Sequence, residues 1–296
     1  MIKLYKIINL NDKEWNLDKG LITSGRNKKY WFRNNKEEVL FKFIKPNTRE
    51  HVSEKIAYEI GELLNISVAK YDFANLNDSV GSISYNFKDK ESNIEYFEIV
   101  KFIMDEYPNY DFNTMKNENN GKDYSFELCL EILEHLNGED LIEDYISMIL
   151  FDALIGNSDR HHSNWGLYNK EGEYFFAPLY DHSPSLGFNL TDKKIKQFYK
   201  DKRYQNSVLS SNSKSLLKLN DRNIRRHFDI VKYLKNHYKD ILMNFSYNLK
   251  ESLYDKNIEK ILDNIPKEII DEFYKKFLKT LIINRRNKLI EVIDNE

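Results

Sequence analysis

Cysteine is almost absent. Cys129 is the single one in 296 residues, so no intrachain disulfide can form and no cluster of thiolates can hold zinc. That fits a reducing compartment and makes the cytoplasm the expected location. Export by a route that needs no signal peptide would leave no mark here, so a translocated effector is compatible with the same sequence. Long apolar runs are missing too: Ile2-Lys3-Leu4-Tyr5-Lys6-Ile7-Ile8 is too short and too interrupted for a secretion signal, and no stretch approaches the roughly 20 apolar residues that span a bilayer. Neither charge dominates. With 45 basic side chains against 47 acidic ones the net charge is -2, which offers nucleic acid no bulk field, and direct binding to it is not expected. Hydrolase signatures are lacking as well. There is no Gly-x-Ser-x-Gly elbow, no His-Glu-x-x-His, and no second Asp-x-His pair on an early strand of the kind a dinuclear phosphoesterase carries.

What is present is material for a large core, 41% apolar residues with 14% aromatic. In the first hundred residues, Tyr30-Trp31-Phe32 and Val39 to Ile44 are aromatic and β-branched runs split by Asn34-Asn35-Lys36, which predicts a hairpin. A helix is predicted from Ser53 and Glu54 to Asn65, with Ile56, Ile60, Leu63 and Leu64 at helical spacing. Val80 to Tyr85 and Tyr96 to Phe102 are further strand candidates, followed by a polar connector around Pro108 to Gly121. The remainder reads as helical, with apolar faces over Leu141 to Leu150 and Ile270 to Leu281, a short strand Glu173 to Tyr180, and a polar mobile loop over Ser207 to Ser215. The expected class is α+β in two lobes: a β-rich N-lobe with one helix over 1–104 and a mainly helical C-lobe over 105–296.

The chemistry concentrates in Gly156-Asn157-Ser158-Asp159-Arg160-His161-His162-Ser163-Asn164 and in Asp181 at the end of an apolar run. Phosphoryl transfer needs phosphates positioned, their charge neutralised and the attacking hydroxyl oriented. Asp159 and Asn164 have the Asp-x-x-x-x-Asn spacing in which a carboxylate accepts a hydroxyl proton and an amide oxygen ligates metal, and Asp181 offers the hard oxygen that Mg²⁺ prefers. Lys42 interrupts an apolar strand with Leu40 and Ile44 on its face, so its ammonium needs a partner or a cleft. Glu54 is the candidate partner. Thr23-Ser24-Gly25-Arg26-Asn27-Lys28 could cover phosphates, with Gly25 allowing close approach and Arg26 adding charge, although a solvated turn explains it as well. The plain alternative for the central loop is turn-forming Asp and Asn, a structural ion pair at Arg160 and packed histidines.

The combination of Gly156-Asn157-Ser158-Asp159-Arg160-His161-x-x-Asn164-Trp165-Gly166 with Ala177-Pro178-Leu179-Tyr180-Asp181-x-x-x-Ser185-Leu186 resembles the HipA-like family of bacterial serine/threonine kinases. The likeness extends upstream to Phe41-Lys42-Phe43 and Ser53-Glu54, and downstream to Asp263-Asn264-Ile265-Pro266 and Arg285-Arg286-Asn287-Lys288-Leu289-Ile290. It implies a protein-kinase-like fold and an ATP- and Mg²⁺-dependent transfer to a protein Ser or Thr hydroxyl. Asp159 is then the base, Asn164 and Asp181 the metal ligands, and Lys42 with Glu54 the phosphate-gripping pair. Ser24, Gly25 and Arg26 form the phosphate-covering loop, and Glu98 to Val100 the adenine-binding hinge. The resemblance further implies a protein substrate, an aminoacyl-tRNA synthetase or other translation protein being the family's kind, an antitoxin as partner, and autophosphorylation, with Ser24 the position to test. The sequence departs from the family in reducing its Gly-rich loop to Ser24-Gly25-Arg26. Three other readings stay open: a phosphoinositide or small-molecule kinase using Lys193, Lys194, Lys196, Lys200, Lys202 and Arg203; a metal-dependent phosphohydrolase built on Asp159, His161, His162, Asp181 and His182; and a pseudokinase that only binds.

Overall fold

The computed structural model of the chain describes residues 3–18, 29–87, 93–117, 123–136, 138–211, 214–219 and 224–295. Its first half holds strands β1 (Ile7–Asn9), β2 (Asn16–Asp18), β3 (Lys29–Arg33) and β4 (Glu38–Phe43), helix α1 (Glu50–Leu64), and strands β5 (Tyr71–Leu76) and β6 (Ser79–Tyr85). These strands form one sheet in the order β1-β5-β6-β4-β3-β2, antiparallel except for β1 on β5. The β3–β4 hairpin is there for the expected reason: Asn34 Oδ1 accepts the N–H groups of Lys36 and Glu37, each at 2.8 Å, and closes the turn. Alternation along the pair turns Phe32, Val39 and Phe41 inward, where they pack with Leu10, Trp15, Ala74 and Ile83.

Helix α1 buries Val52, Ile56, Ile60 and Leu64 and stops where Asn65 takes a left-handed conformation, φ 55°. It begins at Glu50 rather than at Ser53. The Ser53 hydroxyl is buried and donates to Ser185 O at 2.9 Å, so it ties α1 to the other half of the chain instead of capping its own helix.

The second half contains β7 (Ile94–Glu98), α2 (Ile99–Glu106), β8 (Tyr110–Asp111), β9 (Lys116–Asn117), α3 (Phe126–His135), α4 (Glu139–Ile155), β10 (Gly166–Lys170) and β11 (Glu173–Phe176). It continues with α5 (Asp192–Lys200), α6 (Lys202–Asn206), a π turn over Ser207–Ser211, β12 (Lys214–Leu219), β13 (Ile224–Arg226), α7 (His227–Lys235), α8 (Lys239–Ser252), α9 (Asp255–Asp263) and α10 (Glu272–Asp294).

Three expectations are corrected here. Tyr96 to Phe102 is not one strand, because the N–H groups of Ile99 and Val100 donate to Trp165 O and His162 O and turn the chain into α2. β7 itself pairs with β10 in a sheet of order β11-β10-β7. The segment Ser207 to Ser215 is partly regular, a π turn and the start of β12 rather than a loop throughout. The strand expected over Glu173 to Tyr180 stops at Phe176, since Pro178 has no N–H to give a ladder; Leu179 then bridges Val68, exchanging hydrogen bonds with Ser67 and Ala69 at 2.8 Å.

One large core runs from α1 and Phe73 through α4 to α10, so α1 joins the two halves rather than dividing them. Among the described residues no helix is long and apolar enough to cross a membrane.

Candidate active site

Lys42 emerges from β4 on the face opposite Phe41 and meets two carboxylates brought by separate elements. Its Nζ lies 3.1 Å from Glu54 Oε1 of α1 and 3.3 Å from Asp181 Oδ1 of the segment after β11. Ser183 closes the group by donating to Glu54 Oε1 at 2.8 Å and Asp181 Oδ1 at 2.9 Å, and the His182 N–H donates to Glu54 Oε2 at 2.9 Å. Burial is the largest influence on the Lys42 ammonium and works to discharge it, but the Asp181 and Glu54 carboxylates outweigh it and hold its pKa well above the usual lysine range. Asp181 lies well below the usual carboxylate range, because Lys42 and the Ser183 hydroxyl overcome the penalty of burial. The pair is therefore charged. Asp181 sits at φ 58° with its N–H on Tyr71 OH at 3.2 Å, a left-handed turn that breaks the run from β11 and aims the carboxylate back at the sheet.

The loop bearing Asp159 is braced from α4. Gly156 ends that helix at φ 71°, a left-handed position that glycine accepts without strain. Asp152, one turn earlier, takes both Nε and Nη2 of Arg160 at 2.9 Å and the Asn157 side-chain amide at 3.0 Å. Asn157 in turn accepts the Asp159 N–H at 3.1 Å, while Arg160 Nη1 donates to Asn164 O at 2.7 Å and to Tyr180 O at 2.8 Å. One fully buried guanidinium thus fixes the Asp159 loop against the strand end that delivers Asp181. Asn164 Nδ2 is spent on Asp159 O at 2.8 Å, which leaves the amide oxygen as its ligating atom. The Asp159 carboxyl is pushed up first by burial, then pulled down by His161, and raised again by repulsion from Asp181.

Lys42, Glu54 and Asp181 meet directly, and Arg160 ties the loop of Asp159 and Asn164 to the segment that delivers Asp181. Val100 does not join them: it is buried at the start of α2 with its N–H on His162 O, and so has none to offer an adenine, while Glu98 faces Gly166 at the end of β7. Ser24, Gly25 and Arg26 lie outside the described residues. His162 and His182 serve packing. His182 Nδ1 sits 3.1 Å from Arg160 Nη2, and His162 is surrounded by the rings of Tyr110, Phe112 and Tyr124. Among the described residues no three His, Cys, Asp or Glu side chains group to hold a metal ion.

Sequence reasoning missed Ser183, Lys29 and Asp152. Lys29 pairs directly with Lys42 across the hairpin, and both line a recess of about 50 Å³ with His51, Ser82, Asp181 and Ser183. Counting back through the hairpin from the Asn34 turn would have found it. Asp152 was signalled by a carboxylate set among Leu150, Phe151, Ala153 and Leu154. Nothing in the local sequence distinguishes Ser183.

The family model of the HipA-like C-terminal domain matches residues 18–271. The serine/threonine-protein kinase CtkA of Helicobacter pylori is 28% identical over 205 residues, 64% of this chain and 60% of that protein, so the match spans less than two thirds of its length. The crystal structure of a Helicobacter pylori proinflammatory kinase CtkA superposes with a TM-score of 0.82 at 22% identity, covering 97% of each chain. HipA of the Shewanella oneidensis toxin–antitoxin system, solved with HipB and operator DNA, superposes with a TM-score of 0.59 at 15% identity over 93% of this chain and 67% of that one.

Proposed function

The chain belongs to the HipA-like C-terminal domain family, and from that premise we propose that it is a serine/threonine protein kinase that moves the γ-phosphoryl group of ATP to a protein hydroxyl. The observation that carries this reading is the Lys42–Glu54–Asp181 contact, in which the ammonium from the strand meets carboxyl groups from the helix and the post-strand turn at 3.1 and 3.3 Å. Buried ionisable groups are costly to gather even when paired, and such a cluster in a cleft marks a candidate ligand site.

Lys42 is positioned to grip the nucleotide phosphates, with Glu54 fixing its direction. The Asp181 carboxylate and the Asn164 amide oxygen are two hard oxygen donors, the set with which Mg²⁺ is held when substrate phosphates complete its shell. An Mg²⁺ ion held by these two residues would neutralise charge that develops on the transferred group. Asp159 accepts the proton of the acceptor hydroxyl; burial raises its pKa, which makes its carboxylate form a stronger base than a free carboxylate. Arg160 stays out of the chemistry and sets the distance between the base and the metal ligands.

An antitoxin partner and self-phosphorylation at Ser24 belong to the same proposal, supported by family membership. The lysines at 193, 194, 196 and 200 lie on the exposed side of α5, whose other side buries Ile195 and Phe198, so they read as a solvated face rather than a head-group site. The test is transfer from γ-labelled ATP to the protein itself and to lysate proteins. Asp159→Asn should lose roughly 10²- to 10⁴-fold in transfer and keep nucleotide binding. Asp181→Asn should lose Mg²⁺-dependent nucleotide binding as well. No label on any protein, or an Asp159→Asn variant equal to the wild type, overturns the reading.

A further inference from the structure

Arg285 of α10 is a buried cation without a counter-ion among the described residues. It is 2% exposed, and its Nε and Nη2 donate only to the carbonyl oxygens of Ala153 and Leu154 at the end of α4. Those carbonyls carry the negative end of the helix dipole, about half a charge, and neutralise the guanidinium in part. No carboxylate reaches it, and Nη1 has no hydrogen-bond partner among the described residues. Burial accordingly pulls its pKa down to about 10, against 12.5 ordinarily. The guanidinium lies against Gly156, where a Cβ would come within 3.1 to 3.3 Å of Cζ, Nε and Nη1, so glycine leaves it room.

Arg285 lines a groove of about 390 Å³ together with Ser158, Pro184, Leu190, Val208 and Lys214. Two features set its character. Lys214 adds a second cation, and no Asp or Glu is among the described residues that line it. Its location is equally specific, for Ser158 immediately precedes Asp159 and is held to Pro184 O through its N–H at 3.1 Å and its hydroxyl at 3.2 Å. The groove therefore runs from beside the base along the segment that follows Asp181.

We propose that this groove seats an anionic side chain of the protein substrate, a carboxylate or a phosphorylated hydroxyl, next to the acceptor hydroxyl at Asp159, with Arg285 and Lys214 as its ligands. The proposal deepens the kinase reading and rests on Asp159 being the base. An anion would complete the guanidinium's hydrogen bonding and supply the charge its surroundings lack, and an oxygen fork suits either source. The apolar walls, Leu190 and Val208, lower the local dielectric and strengthen that pairing.

The test reads binding before transfer. Fluorescent peptides that share a serine acceptor and carry Asp, phosphoserine, Ala or Lys at each flanking position are titrated with the full chain by anisotropy, then used as acceptors with γ-labelled ATP. At one fixed distance from the serine, the Asp or phosphoserine peptide should bind about tenfold more tightly than the Lys peptide. Which of the two binds better identifies the source of the anion. Because Arg285→Met removes a helix cap and could unfold the chain, Lys214→Glu and Asn189→Glu, both at exposed positions on the groove, carry the comparison. Each should abolish or invert the preference. Equal binding of acidic and basic peptides, or a preference unchanged in both variants, overturns the proposal. A chain that binds acidic peptides selectively but transfers no phosphoryl group refutes the kinase reading and leaves the groove standing.

Discussion

Lys29 and Lys42 occupy directly opposed positions on β3 and β4, so two ammonium groups share one face of the sheet. Like charges directly opposite one another destabilise a strand pair. Lys42 is compensated by Glu54 and Asp181, whereas Lys29 has no ion pair among the described residues, and its pKa is lowered by burial and by Lys42. A polyphosphate entering the recess relieves that repulsion. Lys29→Met should therefore raise KM for Mg-ATP by about tenfold, roughly the worth of one phosphate contact, with kcat much less affected. Steady-state kinetics check it, and an unchanged KM removes Lys29 from the site. His161 acts on the base. It favours the ionised form of Asp159, so His161→Gln should move the acid limb of the kcat profile to higher pH, whereas a loop that did not sense His161 would leave the limb in place. The residues that carry charge were readable because Lys42 inside an apolar strand and Asp159 five positions before Asn164 violate the local pattern. Lys29 and Ser183 violate nothing locally, and their roles exist only once register and turn have formed.

At the scale of elements, the Asp159 loop is rigid because α4, the loop and the post-β11 segment share Arg160. Removing the acid alone, Asp152→Ala, strands a fully buried guanidinium and should cost about 3–5 kcal/mol of stability. The double change Asp152→Leu with Arg160→Met leaves no unpaired charge and should recover much of that loss in denaturant unfolding, although transfer should stay impaired because Asn164 and Tyr180 lose their common donor. If the double variant is as unstable as the single one, the ion pair is not what braces the loop. Gly166 fixes the same region from the other side. A Cβ there would lie 2.1 Å from Phe97 O across the β7–β10 pair, so Gly166→Ala must push the strands apart just beyond Asn164, and activity should fall more steeply than secondary structure by circular dichroism. Strong periodicity made β3, β4, α1 and α4 legible in advance. The β7-to-α2 turn was not, because Ile99 and Val100 suit a strand as well as a helix, and tertiary bonds to His162 O and Trp165 O decide between them.

The molecule as a whole shares one core. α1 packs into the helical half, the Val68–Leu179 bridge ties the halves again, and Ser53 adds a third link through Ser185 O. With the halves interlocked in this way, unfolding is expected as one cooperative step, and protons taken up anywhere register in the same transition. His227 at the start of α7 is 2% exposed, and burial with Arg285 beside it lowers its pKa from 6.5 to about 3. Its folded pKa is depressed, so the unfolded chain binds the extra proton. Its contribution to stability is full above pH 6.5 and is lost as pH falls toward 3. Between pH 6 and 4 the wild type should therefore lose about 1.4 kcal/mol per pH unit more than His227→Gln. Asp144, raised to about 6 by burial and by Glu143 and Asp140, takes up its proton in the folded state over part of that window and acts in the opposite sense. It is present in both proteins, however, and cancels in the difference. Urea unfolding of the two proteins at half-unit pH steps gives that difference directly, and parallel stability curves would show that His227 is protonated in the folded state and that the cluster around Arg285 is open to water.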